Sequence, residues 1–102
     1  MTQRNNTYVD FKVVKDFVSI TQILEHYGLL ESLRKTNEDQ LTGCCPIHNG
    51  ENPTAFRVSL SKNCWNCFST CQCGGNILDF VAKMEDVSIQ QAARLIADWF
   101  DV

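Results

Sequence analysis

Between Asn63 and Gly75 the chain places Cys64, Cys67, Cys71 and Cys73, four cysteines within ten residues. Two more stand side by side upstream, in Gly43-Cys-Cys-Pro-Ile-His48, where a histidine closes the segment. Thiols at this density constrain the middle of a 102-residue chain to be cross-linked or gathered round a metal. The N-terminus, Met1-Thr-Gln-Arg-Asn-Asn-Thr-Tyr8, is polar and carries no apolar signal core. That points to a reducing, cytoplasmic setting, where clustered cysteines bind metal more often than they form disulfides. Six cysteines would otherwise suit three disulfides in an exported protein.

Zinc takes four tetrahedral ligands drawn from thiolates and imidazoles, and a site closed by four protein ligands is structural. Two ligands a few residues apart on a tight turn chelate one side of the ion, and a second pair completes it. Cys45-Pro-Ile-His48 is one such pair, with Pro46 pre-setting the turn. For the second pair the spacing leaves two choices, Cys64 with Cys67 or Cys67 with Cys71, and knuckle geometry alone leans slightly to the first. A redox dithiol at Cys64-Trp-Asn-Cys67 lacks the strand-to-helix transition it would need. His26, beside Glu25 on a polar helix face, reads as a solvent-exposed residue.

Helical patterns flank this centre. Asp10 to Val18 reads as a short helix on Phe11, Val13, Val14, Phe17 and Val18. Ser19 caps a second, with Ile20, Ile23, Leu24 and Tyr27 on one face and Gly28 as its stop. Glu31 to Gln40 is polar and reads as a strand-edge loop. In Ala55 to Leu60, Phe56, Val58 and Leu60 alternate with Ala55, Arg57 and Ser59, the pattern of a half-buried strand. Ser61-Lys62 make a turn, and Asn63 to Asn66 return. Gly74-Gly75 form a tight turn, Asn76 and Asp79 start a helix with Ile77, Phe80, Val81 and Met84 on its apolar face. Ser88 and Gln91 stand at capping-box spacing at the head of a last helix. Its stripe of Ile89, Ala92, Ala93, Ile96, Trp99 and Phe100 reads as core rather than a binding surface.

At 44% apolar and 21% charged residues, the chain has the make-up of one ordinary globular domain. No stretch approaches the roughly 20 apolar residues that span a bilayer. A net charge of −3, with scattered basic residues, argues against a free-standing protein that binds nucleic acid tightly, since phosphate neutralisation supplies most of that affinity. The twelve acidic residues are equally dispersed. No carboxylate cluster is available to hold the divalent ions of nucleotidyl transfer, so no catalytic centre is expected.

The ordered set Gly43-Cys-Cys-Pro-Ile-His48, Asn52-Pro-Thr-Ala-Phe56, Trp65-Asn-Cys-Phe68, Cys71, Gly74-Gly75 and Asp79-Phe80 resembles the CHC2 zinc-binding domain of bacterial, phage and mobile-element DNA primases. The resemblance runs from about residue 16 to the C-terminus. Two departures accompany it: three residues separate Cys67 from Cys71 where the family has two, and Pro53 lies one residue further from Phe56.

The resemblance implies an α+β fold, a zinc ribbon with a small antiparallel sheet flanked by N- and C-terminal helices. A single domain over 1–102 is expected, with 1–9 flexible. It implies one structural Zn2+ held by Cys45, His48, Cys67 and Cys71. Cys44 is then a small buried residue, Cys64 packs in the strand and Cys73 sits in the turn. It implies a module that recognises single-stranded DNA template and supports primer synthesis by a separate catalytic domain or subunit, in cis or in trans, beside other replication proteins. Arg57 and Lys62 would meet phosphates on the exposed sheet face and Trp65 would either stack a base or pack behind the zinc site, with Ser59, Asn63 and Asn66 adding hydrogen bonds. The competing expectation is a zinc-stabilised adaptor that binds protein and no nucleic acid.

Overall fold

The first two helices begin where a side-chain oxygen replaces the missing backbone partners of the first turn. In the computed structural model, which describes residues 10–47, 50–68 and 74–102, helix α1 spans Phe11–Phe17 with Asp10 accepting from the Lys12 amide. Helix α2 spans Ile20–His26 behind a reciprocal capping box of Ser19 and Gln22, and Gly28 at φ +71° turns the chain away. The expected flexibility of 1–9 lies outside the described residues.

A short 3-10 turn at Leu30–Ser32 leads into a sheet of five strands. These are β1 (Arg34–Asn37), β2 (Gln40–Gly43), β3 (Phe56–Ser59), β4 (Cys64–Cys67) and β5 (Gly74–Gly75), each antiparallel to its neighbour in sequence order. The expected strand at Ala55 to Leu60 is β3, and the return strand begins one residue later than expected because Asn63, at φ 51°, still belongs to the turn.

Two readings are corrected here. Residues 31–40 are not one loop: after the 3-10 turn, β1 takes Arg34–Asn37 and β2 starts at Gln40. All four residues of β1 are exposed, so an edge strand with neither face covered shows no apolar alternation. Gly74-Gly75 are not a turn but the last strand, paired with Trp65 and Asn66. A Cβ on Gly74 would stand 2.6 Å from the Trp65 carbonyl oxygen, so only glycine lets the chain approach this closely.

Helix α3 (Ile77–Glu85) starts from a capping box of Asn76 and Asp79, and α4 (Ile89–Phe100) from one of Ser88 and Gln91. Both end at aspartates in the left-handed conformation, Asp86 and Asp101. The helices cover one sheet face. There Phe56, Trp65 and Phe80 pack with ring centroids 5.6 to 5.9 Å apart, over Ile20, Ile23, Leu24, Ile77, Val81 and Ile96. Such aromatic pairs add about 0.5–1.5 kcal/mol each beyond their buried area. Trp99 and Phe100 are partly buried against this core, as their spacing indicates, and the exposed His26 stacks on Trp99 at 4.0 Å. The fold is α+β. No helix among the described residues is long and apolar enough to cross a membrane.

Candidate functional site

Strand pairing sorts the central side chains onto two faces. Phe56 pairs with Cys67 and Val58 with Trp65, and all four are buried on the helix side. Arg57 pairs with Asn66 and Ser59 with Cys64, and these belong to the opposite, open side. Adjacent residues of a strand point to opposite faces, so Cys64 and Cys67, three apart, part company. Cys64 lines the open groove, whereas Cys67 is 1% exposed and lies in the core cluster.

The Cys67 end of β4 is also the end where β2 finishes, because Gly43 pairs with Phe56 and Phe56 with Cys67. Cys45, two residues beyond Gly43, is likewise 1% exposed. Its carbonyl accepts the Gly50 amide at 2.9 Å. Two buried thiols thus stand at one end of the sheet, and in sequence each is followed within four residues by a second candidate ligand. This donor set and its exclusion from water fit structural zinc. His48 and Cys71 lie outside the described residues, as does Cys73. Among the described residues no three metal-binding side chains gather into a site. The expectation that Cys44 is buried is overturned: it is exposed, one residue out of phase with Leu41, Gly43 and Cys45 on the inward side.

The open face is a shallow groove of about 430 Å³ bounded by Asn37, Asp39, Gln40, Arg57, Lys62 and Phe68. Arg57 is held there before any ligand arrives. Asn52 accepts from the Thr54 amide at 3.0 Å, an Asx turn, and the Thr54 carbonyl accepts from Arg57 Nε at 3.2 Å. The guanidinium then sits 5.1 Å from the centre of the Phe68 ring, a cation–π contact. Phe68 is 61% exposed, and its own amide donates to the Ala55 carbonyl at 2.9 Å, extending the β3–β4 pairing.

Trp65 does not reach this face. Its indole is 1% exposed, and Nε1 donates to the Asn76 carbonyl at 2.9 Å, tying β4 to the head of α3. Base stacking by Trp65 is therefore ruled out by burial. Phe68 is the exposed aromatic, and the alternation from Val58 across to Trp65 is the signal that would have found it. Of the polar residues expected on this face, Ser59 donates to Asp39 at 2.9 Å and Asn63 accepts from the Ile20 amide at 3.1 Å. Asn66 remains exposed. Asp39, the acidic member of the groove, also accepts from the Ser61 amide at 2.7 Å. Hydrogen bonding from Ser61, then from Ser59, holds its carboxyl below the ordinary carboxylate range, with Lys62 adding to the effect.

The chain matches the sequence model of the CHC2 zinc finger over residues 6–102. It is 35% identical over 88 residues to the DNA primase of Streptomyces coelicolor, covering 86% of this chain and 13% of that protein. The DNA primase of Mycobacterium leprae is 33% identical over 89 residues, or 87% of this chain and 13% of the relative. That of Mycoplasma pneumoniae is 37% identical over 79 residues, 78% of this chain and 12% of the relative. Among solved structures, the Aquifex aeolicus primase, comprising zinc-binding and RNA polymerase domains, superposes with a TM-score of 0.75 at 29% identity. That match covers 92% of this chain and 22% of the other. The chain spans only about an eighth of the length of the curated relatives it matches.

Proposed function

This chain belongs to the CHC2 zinc-finger family, and on that premise we propose that it is the zinc-binding module of a DNA primase system, recognising single-stranded template for a separate catalytic domain or subunit. The observation that carries the reading is the open sheet face, where Arg57, Lys62 and Phe68 line one groove opposite the core. A single strand needs cations for its phosphates and an aromatic face for its bases, and this groove supplies both. Phe68 stacks a base on the ring face that Arg57 leaves open, while Arg57 and Lys62 meet phosphates.

Cys45, His48, Cys67 and Cys71 would hold one zinc ion. Bound there, zinc supplies no chemistry beyond a structural staple, since four protein ligands leave no open position. The residues themselves do the positioning. Cys45 follows β2 and Cys67 ends β4 at one end of the sheet, and the pairing of β3 with β4 keeps Phe56 opposite Cys67 with Arg57 on the other side. Primer synthesis belongs to the partner. The net charge of −3 implies weak affinity for DNA by this chain alone, with tethering or complex formation supplying effective concentration.

A priming assay tests this reading. A primase catalytic subunit, supplied with single-stranded template and nucleotides, should give more primer when this chain is added or fused. Arg57→Ala and Phe68→Ala should remove the gain while leaving zinc content unchanged. Equal primer yield with and without the chain would reject the primase assignment and leave a protein-binding adaptor as the explanation.

A further inference from the structure

The groove does not end at Lys62. That side chain also lines a second, smaller cleft of about 280 Å³ formed with Lys15 of α1, Asn63, Asn76 and Ile77. We propose that the nucleic-acid path continues round the β3–β4 turn into this cleft, where Lys15 takes a backbone phosphate of the same strand. The inference rests on the sheet face being the single-strand interface.

Donors prevail among the polar side chains that line the cleft. Asn63 Oδ1 already accepts from the Ile20 amide at 3.1 Å, and Asn76 Oδ1 accepts from the amides of Leu78 at 2.8 Å and Asp79 at 3.2 Å. Asn76 Oδ1 thereby fills both lone pairs, so that side chain retains only its NH2 donor for an occupant, while Asn63 offers its NH2 beside one remaining lone pair. Lys15 and Lys62 add two ammonium groups from separate elements, and no carboxylate is among the described residues that line the cleft. A lining in which donors prevail, two of them charged, suits a group made of acceptor oxygens and negative charge. The head of α3 is not what attracts it, because Asn76 and Asp79 already satisfy that terminus.

Lys15 differs from its neighbour on the same helix. Lys12 is ion-paired with Asp16 at 2.9 Å, whereas Lys15 forms no ion pair among the described residues. A phosphate could come from the strand or from a free nucleotide. Continuity at Lys62 favours the strand, since a chain leaving the groove meets the cleft next.

Affinities of the purified full chain for oligothymidylates of about 4 and about 8 nucleotides, measured across salt concentrations, test the inference. The short strand fills the groove alone. Lys15→Gln should weaken the longer strand and lower its salt slope by about 0.7, the share of one phosphate on single-stranded DNA, while leaving the short strand unchanged. Lys12→Gln should change neither. If Lys15→Gln has no effect at either length while Arg57→Gln and Phe68→Ala still weaken both, the inference fails and the sheet-face reading stands. If the wild-type chain binds neither strand, both fail. If Lys15→Gln weakens a nucleoside triphosphate and not the longer strand, the cleft holds a free nucleotide and the continuous path is wrong.

Discussion

Cys64 and Cys67 stand three residues apart on one strand and serve opposite faces of the sheet. Cys64 lines the open groove, while Cys67 is buried beside Phe56. A Cys-x-x-Cys pair chelates one ion only when a turn brings both sulfurs to the same side, and β4 is extended across all four residues. This geometry favours Cys67 with Cys71 as the second pair.

Substitution of each cysteine should divide them accordingly. Cys45→Ser, His48→Ala, Cys67→Ser and Cys71→Ser should each lose zinc, measured as metal content of protein purified without chelator. Cys44→Ser, Cys64→Ser and Cys73→Ser should keep about one ion per chain. Structural zinc contributes on the order of 10–16 kcal/mol in small zinc domains, so the first group should also lose cooperative unfolding. Zinc retained in Cys71→Ser and lost in Cys64→Ser would reverse the assignment.

Phe68 and Trp65 should separate binding from folding. Phe68→Ala removes an exposed ring and should weaken single-stranded DNA by about 1–3 kcal/mol, with the unfolding midpoint unchanged. Trp65→Ala empties a core site and should lower stability by about 3–5 kcal/mol. Trp65→Phe keeps most of the volume but loses the bond to the Asn76 carbonyl, and should bind DNA as the wild type does. Fluorescence anisotropy and urea unfolding, run on the same preparations, read the two effects.

Gly74→Ala should cost stability out of proportion to one methyl group. The new Cβ would meet Asn66 and the Trp65 carbonyl oxygen at 2.6 Å, so β5 must move off β4. Overpacking of this kind costs about 1–3 kcal/mol, and urea midpoints of the variant and wild type measure it. An unchanged midpoint would mean that β5 pairing contributes little.

Asp39 makes part of the stability depend on pH. Its folded carboxyl is held below the ordinary value of 3.8, so its contribution is fully present above that value and is lost as pH falls through the depressed one. The difference in urea midpoint between wild type and Asp39→Asn should therefore be largest near neutral pH and shrink in acid below about 3.8. Taking the difference cancels the loss of zinc ligands that both proteins share in acid. A constant gap would show that the Ser61 and Ser59 hydrogen bonds do not depend on the charge.

Much of this protein is written locally. Ser19 with Gln22, Asn76 with Asp79, and Ser88 with Gln91 each place a cap and its reciprocal partner three residues apart, so three helix starts can be read without any tertiary contact. Cys45 and His48 stand at chelate spacing, and Phe56 and Val58 alternate with Arg57 in a strand pattern that the fold keeps. These features depend on neighbours along the chain, and neighbours are what a sequence displays. Tertiary structure decided the rest. Strand β1 is exposed on both sides, so no apolar rhythm announces it; its partner β2 alone makes it a strand. The period of two divides Trp65 and Cys67 from Cys64, Asn66 and Phe68, but which set lies inside depends on which face the helices cover. That choice follows from β4 pairing in register with Phe56 and Val58, and from α3 packing Phe80 against Trp65. It buries the tryptophan and leaves Phe68 in the open under Arg57, because the helices have only one sheet face to cover.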